Sequence, residues 1–467
     1  MPTTSVADRS CQVDALRERE FPYLDASAHA YLDYTGAALA PLSLIRGSAA
    51  RLASGVYGNP HTASPASLAS TRLVEEAREA VLAFCGASPE GPEAYTVVFT
   101  PNATAAVRLV AEAYPFGPRT PLVFLGDDHN SVLGMRRYAR RAGAPVRVVP
   151  LGPGFRTESA AVTACLEAGG RGLFAFPAQS NATGVRHPLE WVGEARRRGW
   201  RVLLDAAAYL PSGPLDLTAV PADFVALSWY KISGFPAGVG CLVARRDALA
   251  GLRRPWFAGG TVLASSSHTD WHLPAPAPEG FEDGTLPFLA LPDVTAAVAW
   301  HRAIGYDAVH HHVTRLTARL LAGLTALRHP GGEPAVRVLG PLSTEDRGPT
   351  VAFNLLRPDG SPVDERVLQL AAAEARISLR TGCFCNPGVA EEANGMTPEV
   401  VREALVRGDP ADVDAYLHRL TVQAQGAVRA SMGVATDARD VERLVEVCGD
   451  VVARGAWEGA FGPRAGC

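Results

Sequence analysis

The chain has 467 residues, 47% of them hydrophobic and 20% charged, with a formal net charge of −4. That length implies two domains, or one large domain with a satellite, and the mild negative charge excludes a general nucleic-acid binder. The chain opens with no basic-then-apolar leader, and no uncharged apolar run reaches the ~18 residues of a membrane span, so a cytoplasmic protein without a membrane partner is expected.

Short aliphatic runs at 96–100, 122–125, 146–149, 172–176, 201–205, 223–228 and 238–243 read as strands, and 104–114, 131–141, 159–168 and 189–198 between them as helices. Apolar strands separated by helices predict an α/β domain with a mainly parallel sheet wrapped by helices. Beyond about residue 290 the pattern changes. Helical stretches at 291–304, 309–327, 363–374 and 437–447 alternate with strands at 335–339, 350–355, 377–380 and 427–432, the texture of a smaller α+β domain. Residues 331–334 read as a turn. Arg136, Arg137, Arg140 and Arg141 share one helix and Arg196–Arg198 another; they read as solvated faces, with docking of an acidic partner as the sharper alternative.

Residues able to do chemistry recur after successive predicted strands. Asn102-Ala103-Thr104 opens a helix, where a hydroxyl and free N–H groups suit a phosphate or serve as a plain cap. His129 follows the next strand and can lie flat on a ring; Asn181, further on, can donate to a phenolic oxygen or shape a turn. Asp205 ends an apolar strand, where open α/β sheets bind ligands. Lys231, in Ser228-Trp229-Tyr230-Lys231, is the sole lysine of a chain otherwise furnished with arginine. A chain that keeps one lysine has use for what arginine cannot do, which is to lose its proton and attack a carbonyl. One Lys, one Asp and a phosphate cradle at neighbouring strand ends point to pyridoxal phosphate, whose ring nitrogen needs an acid beside it.

Six of the eight cysteines, Cys11, Cys85, Cys165, Cys241, Cys448 and Cys467, stand alone and read as spectators in a reducing compartment. The other two lie in Arg380-Thr381-Gly382-Cys383-Phe384-Cys385-Asn386, after a strand-like run. In an extended segment both sulfurs would face one cleft, and Arg380 would favour a thiolate. By itself the pair is equally compatible with inert thiols, a partial metal site or catalysis; no second ligand pair stands at zinc-site spacing, so no metal centre is expected.

The order of motifs resembles the class V aminotransferase / cysteine desulfurase family of fold-type I pyridoxal phosphate enzymes and, more narrowly, the N-terminal domain of molybdenum cofactor sulfurases. The matching stretches are Tyr31-Leu-Asp-Tyr-Thr-Gly-Ala37, Tyr57-Gly-Asn-Pro-His61, Asp128-His129-Asn-Ser-Val132, Pro177-Ala-Gln-Ser-Asn181, Leu204-Asp-Ala-Ala207, Ser228-Trp-Tyr-Lys231, Phe281-Glu-Asp-Gly-Thr285 and 380–386. The resemblance implies a large cofactor domain with a seven-stranded sheet over 60–305. It adds an N-terminal segment, 1–59, packed on a small domain, 306–467, that carries the Cys385 loop.

It further implies that Lys231 carries the cofactor as a Schiff base and shuttles the proton, that Asp205 pairs with the ring nitrogen, and that His129 stacks on the ring. Thr104, Ser228 and Tyr230 would hold the phosphate, with Thr285 reaching in from the second subunit of a homodimer. Asn181 would contact cofactor or substrate, and Arg429 would clamp the substrate carboxylate. Cys385 would take sulfur from L-cysteine as a persulfide, release L-alanine and pass the sulfur to a protein or small-molecule acceptor. A C–S lyase, epimerase or aminotransferase in which Cys385 is dispensable is the alternative. Two departures matter: Ala208 stands where desulfurases usually carry Gln, a small residue that the molybdenum cofactor sulfurases share, and the sequence ends at Cys467 without the second domain of the eukaryotic sulfurases, which leaves the acceptor open.

Overall fold

A computed structural model of the chain describes residues 13–464 other than 14, 61, 258, 407, 421–425, 456, 458–460, 462 and 463. Strands are numbered in chain order, beginning with the short β1 (Ala30–Tyr31). The large sheet contains β2 (Tyr95–Thr100), β3 (Leu122–Leu125), β4 (Val146–Val149), β5 (Leu173–Pro177), β6 (Arg201–Asp205), β7 (Phe224–Ser228) and β8 (Gly240–Arg245). Its order is β2-β8-β7-β6-β5-β3-β4, and only β8 runs against its neighbours. The expected seven-stranded, mainly parallel sheet is therefore present.

Both faces of the sheet are covered. On β7, Val225 and Leu227 join Phe176 and Trp229 in one core, while Phe224 and Ala226 join Phe124 and Leu203 in the other. This two-sided burial is why the central strands read as continuous apolar runs. Only the edge strand β4 leaves an apolar side chain, Val148, in water.

A ribbon of β9 (Val262–Ser265) and β10 (His272–Pro274) follows. The small domain is built on β11 (Val336–Leu339), β12 (Thr350–Leu355), β14 (Arg380–Gly382) and β15 (Ala427–Ser431), an antiparallel sheet in the order β11-β12-β15-β14. β13 (Ile377–Ser378) pairs instead with β1, in parallel. The single strand expected at 377–380 is thus two, because the run changes partner between Ser378 and Arg380, which alternation of residue types cannot show. The helix expected at 131–141 likewise breaks at Gly134 into Asn130–Leu133 and Met135–Arg141. Helices Pro387–Ala393, Pro398–Leu405 and Val413–Leu420 were not anticipated.

Arg136, Arg137, Arg140 and Arg141 are exposed, and Arg196 and Arg198 pair with Glu93 and Glu167. Among the described residues no helix is long and apolar enough to cross a membrane. Cys85, Cys241 and Cys448 are free and buried, and burial pushes their thiols up, that of Cys85 to about 12, so they are inert. Cys165 is free and half-buried; Cys11 and Cys467 lie outside the described residues.

Candidate active site

The exits of β2, β3, β5, β6 and β7 converge on one cavity of about 130 Å³. At one end stands helix Ala103–Ala113, capped by Asn102, whose Oδ1 accepts the Ala105 N–H at 3.0 Å. The helix start is locked to the next strand exit, since Ala103 N–H donates to Ser228 Oγ at 2.8 Å. This approach requires Gly240: a Cβ there would lie 2.6 Å from both Asn102 Cα and Leu227 O. Thr104, Ser131, Ser228 and Tyr230 line the cavity at this end, with the Thr104 and Ser131 hydroxyls 2.7 Å apart. Several hydroxyls around the positive end of a helix dipole form an anion cradle.

His129 is aimed by a tight turn in which Asp128 Oδ2 accepts the Leu125 N–H at 2.8 Å. Its Nδ1 accepts the Ser131 N–H at 3.1 Å, so the neutral ring carries its proton on Nε2. Burial pushes the His129 pKa down, the neighbouring Asp205 opposing, which keeps the ring neutral. Asp205 ends β6, 8% exposed, with Oδ1 accepting the Ala207 N–H at 3.0 Å.

Lys231 lies in the single helical turn Trp229–Ile232 directly after β7. Trp229, fully buried against Phe84, anchors that turn. Burial pushes the Lys231 amine down, more than Asp205 raises it, and Arg429 and Arg380 push it down further. The sole lysine is therefore biased toward a neutral, nucleophilic amine.

The small domain contributes the opposite wall. Asn386, fully buried, donates to Asp127 O at 2.6 Å and Asn181 Oδ1 at 3.0 Å, while its own Oδ1 caps helix Pro387–Ala393. Asn181 Nδ2 donates to Phe384 O at 2.8 Å, and Asn130 N–H to Cys385 O at 2.7 Å. Four hydrogen bonds thus tie the Cys385 loop to the loops that carry His129 and Asn181. Phe384 and Cys385 are both left-handed, with φ of 57° and 53°. The segment is therefore not extended, and the expectation that both sulfurs share a cleft is corrected: Cys383 lines a separate small cavity with Leu339, Val389 and Ala427. Arg380 pairs its guanidinium with Asp33 at 2.8 Å and stays within electrostatic reach of Cys385.

Arg429 is 2% exposed, packs over the Phe384 ring at 4.9 Å, and donates to Asn181 O at 3.0 Å and Asp33 Oδ1 at 2.9 Å. Thr285 is exposed, 3.3 Å from Asn59 Nδ2, and does not line its own chain's cavity. Among the residues expected from sequence, the structure brings together Thr104, His129, Asn181, Asp205, Ser228, Tyr230 and Lys231 around the cavity, and holds Cys385 and Arg429 beside it.

Ser131, Gln179, Asn386 and Asp33 were missed. Gln179 lines the cavity and donates to Ala208 O at 2.9 Å, taking up part of the space beside that small residue. Glu282 was missed too: it accepts two bonds from buried Arg78, at 2.8 and 2.9 Å, and the Phe99 N–H at 3.0 Å, anchoring the Thr285 segment. Its place inside a quoted motif was the one available signal.

The family model described as Aminotransferase class-V matches residues 30–444. The molybdenum cofactor sulfurase of Bos taurus is 37% identical over 459 residues, covering 92% of this chain and 51% of that protein. The chain thus spans about half the length of such relatives. Among solved structures, apo cysteine desulfurase from Thermococcus onnurineus NA1 superposes with a TM-score of 0.78 at 23% identity, covering 97% of this chain and 100% of that one. The cystine C–S lyase C-DES, in a Lys-to-Ala mutant with glycine covalently linked to its pyridoxal phosphate cofactor, gives a TM-score of 0.69 at 20% identity, covering 93% and 99%. With its matched span taking in the cavity, the Cys385 loop and Arg429 alike, the chain belongs to the class V aminotransferase family.

Proposed function

We propose that the protein binds pyridoxal phosphate, takes sulfur from L-cysteine as a persulfide on Cys385, and passes it to an acceptor with release of L-alanine. The observation that carries this reading is the docking of the Cys385 loop, through Asn130 and Asn181, onto the cavity that holds the sole lysine.

The residues fit the cofactor: an anion cradle at Thr104, Ser131, Ser228 and Tyr230, a buried carboxylate at Asp205, a flat neutral ring at His129 and an amine at Lys231 line one cavity. When bound, pyridoxal phosphate supplies an electron sink for bonds at the amino acid's α-carbon. Lys231, its proton loosely held, takes and returns the α-proton. Arg429 receives the substrate's carboxylate with a planar fork of donors. The Cys385 thiolate attacks the sulfur of L-cysteine; the S–S bond forms as the C–S bond breaks, and the carbon remainder takes up a proton and leaves as alanine.

A homodimer with Thr285 supplied by the partner belongs to the same reading. Trp256, Phe257, Leu263, Trp271 and Leu273 are exposed on and beside the β9–β10 ribbon, and Arg254, stacked on Trp256, reaches Asp283 two residues from Thr285. A second copy would cover this face. Sedimentation of the holoenzyme should give a dimer, and a stable monomer would remove Thr285 from the site.

The chemical test is sulfide and alanine release from L-cysteine with dithiothreitol. Wild type should release both in equal amounts and Cys385→Ala neither. Undiminished sulfide from Cys385→Ala, accompanied by pyruvate and ammonia in place of alanine, would favour a C–S lyase.

A further inference from the structure

Arg380 and Arg429 are direct cross-strand partners on the antiparallel pair β14–β15. Like charges facing each other across a ladder repel, and here one of the two is buried. The Asp33 carboxylate lies between them. Its Oδ1 is 2.9 Å from Arg429 Nη2 and its Oδ2 2.8 Å from Arg380 Nη2 and 3.1 Å from Arg380 Nε. The backbone puts it there: Leu32 N–H donates to Ser378 O at 2.8 Å, Ser431 N–H to Leu32 O at 2.7 Å, and Asp33 bridges Ser431. The turn that follows closes over the carboxylate at Gly36, where a Cβ would stand 2.5 Å from Asp33 Oδ2 and 2.8 Å from Arg380 Nη2 and would displace these groups.

The donors of Arg429 are unequally used. Nη1 serves Asn181 O, Nη2 serves Asp33, and Nε is buried with no partner among the described residues. A guanidinium grips a carboxylate two-pronged through Nε with Nη2 or through Nη1 with Nη2. Either grip needs the nitrogen that Asp33 holds. Arg380, whose side chain is 51% exposed, can keep Asp33 paired when Arg429 lets go.

We infer that Asp33 is a placeholder in the substrate-carboxylate pocket: it occupies Arg429 in the resting enzyme, yields it to the incoming carboxylate, and so sets the affinity for the amino-acid substrate. This rests on Arg429 being the carboxylate clamp, as proposed above. The sign follows from which state loses more without Asp33. In the resting enzyme a buried guanidinium would be left uncompensated, whereas in the complex the substrate carboxylate compensates it. Neutralising Asp33 therefore weakens the resting fold and tightens carboxylate binding, whereas a merely structural ion pair would lower stability and leave binding unchanged.

The test uses the pyridoxal phosphate holoenzyme and two probes, L-alanine and ethylamine, which is L-alanine without its carboxylate. Binding is followed by the cofactor's absorbance and folding by thermal melting. Asp33→Asn should melt lower, bind L-alanine about threefold to tenfold more tightly and bind ethylamine as wild type does. L-Alanine binding that is unchanged or weaker in Asp33→Asn overturns the placeholder role. Should that variant not fold, Asp33→Asn/Arg380→Gln removes the facing arginine and is expected to tighten L-alanine in the same way. Arg429→Gln keeps the two ideas apart. It should abolish the preference for L-alanine over ethylamine; if the preference survives, the clamp reading itself falls, whatever Asp33 does.

Discussion

The two walls of the cavity are built by different means. On the large-domain side, Lys231, Asp205, His129 and the helix start at Asn102 sit at the exits of β7, β6, β3 and β2, strands buried on both faces. Their positions follow from the sheet itself. On the small-domain side, Cys385 and Arg429 are held by side chains: Asn386 and Asn181 pin the loop, Asp33 pairs with the arginine, and two left-handed residues, Phe384 and Cys385, set the turn. Packing makes the first wall, which suits a group that must stay bound. Hydrogen bonds make the second, which suits the sulfur transfer proposed for Cys385.

Substitutions on the two sides should separate chemistry, stability and positioning. The largest effect is expected at Lys231→Ala, where sulfide release from L-cysteine should fall by about 10³-fold or more, since the proposed mechanism uses this one side chain as both nucleophile and proton carrier; retention of a tenth of the activity would remove Lys231 from the chemistry. Glu282→Ala strands buried Arg78 and should cost about 3–5 kcal/mol in chemical denaturation, a loss that the packed wall must show if the Thr285 segment is anchored as described. A loss under ~1 kcal/mol would contradict that anchoring.

Acid should test the core behind Trp229. His301 packs there against Phe84 and Tyr306, and burial pushes its pKa down to about 4 from 6.5. Above pH ~6.5 the ring is neutral folded or unfolded and adds no pH dependence. As pH falls toward about 4, the unfolded chain takes the proton first, so stability drops, by roughly 3 kcal/mol at the lower end. Denaturation at pH 7 and pH 5 should show this fall, and His301→Gln should flatten it; an equal slope in the variant would assign the acid sensitivity elsewhere. The smallest effect is expected at Asn386→Ala, which loosens the Cys385 loop without touching substrate. Its kcat should fall about tenfold with KM little changed, and an unaltered kcat would mean that the loop does not depend on that pin.

Much of the first wall was legible in the sequence and much of the second was not, for a physical reason. Strand exits follow apolar runs, so Asp205, Lys231, His129 and Asn102 could be lined up by counting from one run to the next. The sole lysine singled itself out by composition. Asn386 and Asp33 act across 259 and 396 positions of sequence, on Asp127 and Arg429. Nothing local distinguishes them from a helix cap and a turn residue. The change of partner between β13 and β14 and the left-handed pair at 384–385 were hidden for the same reason: both depend on what lies opposite, not on the residue types themselves. Thr285 shows the remaining case, a residue exposed in its own chain whose expected role is in another.

The central claim is that Cys385 carries sulfur. Mass spectrometry of the holoenzyme after brief exposure to L-cysteine tests it most directly. The account predicts one added sulfur atom on the peptide containing Cys385, removed by dithiothreitol and absent from Lys231→Ala. An enzyme that releases alanine from L-cysteine while Cys385 stays unmodified would contradict it.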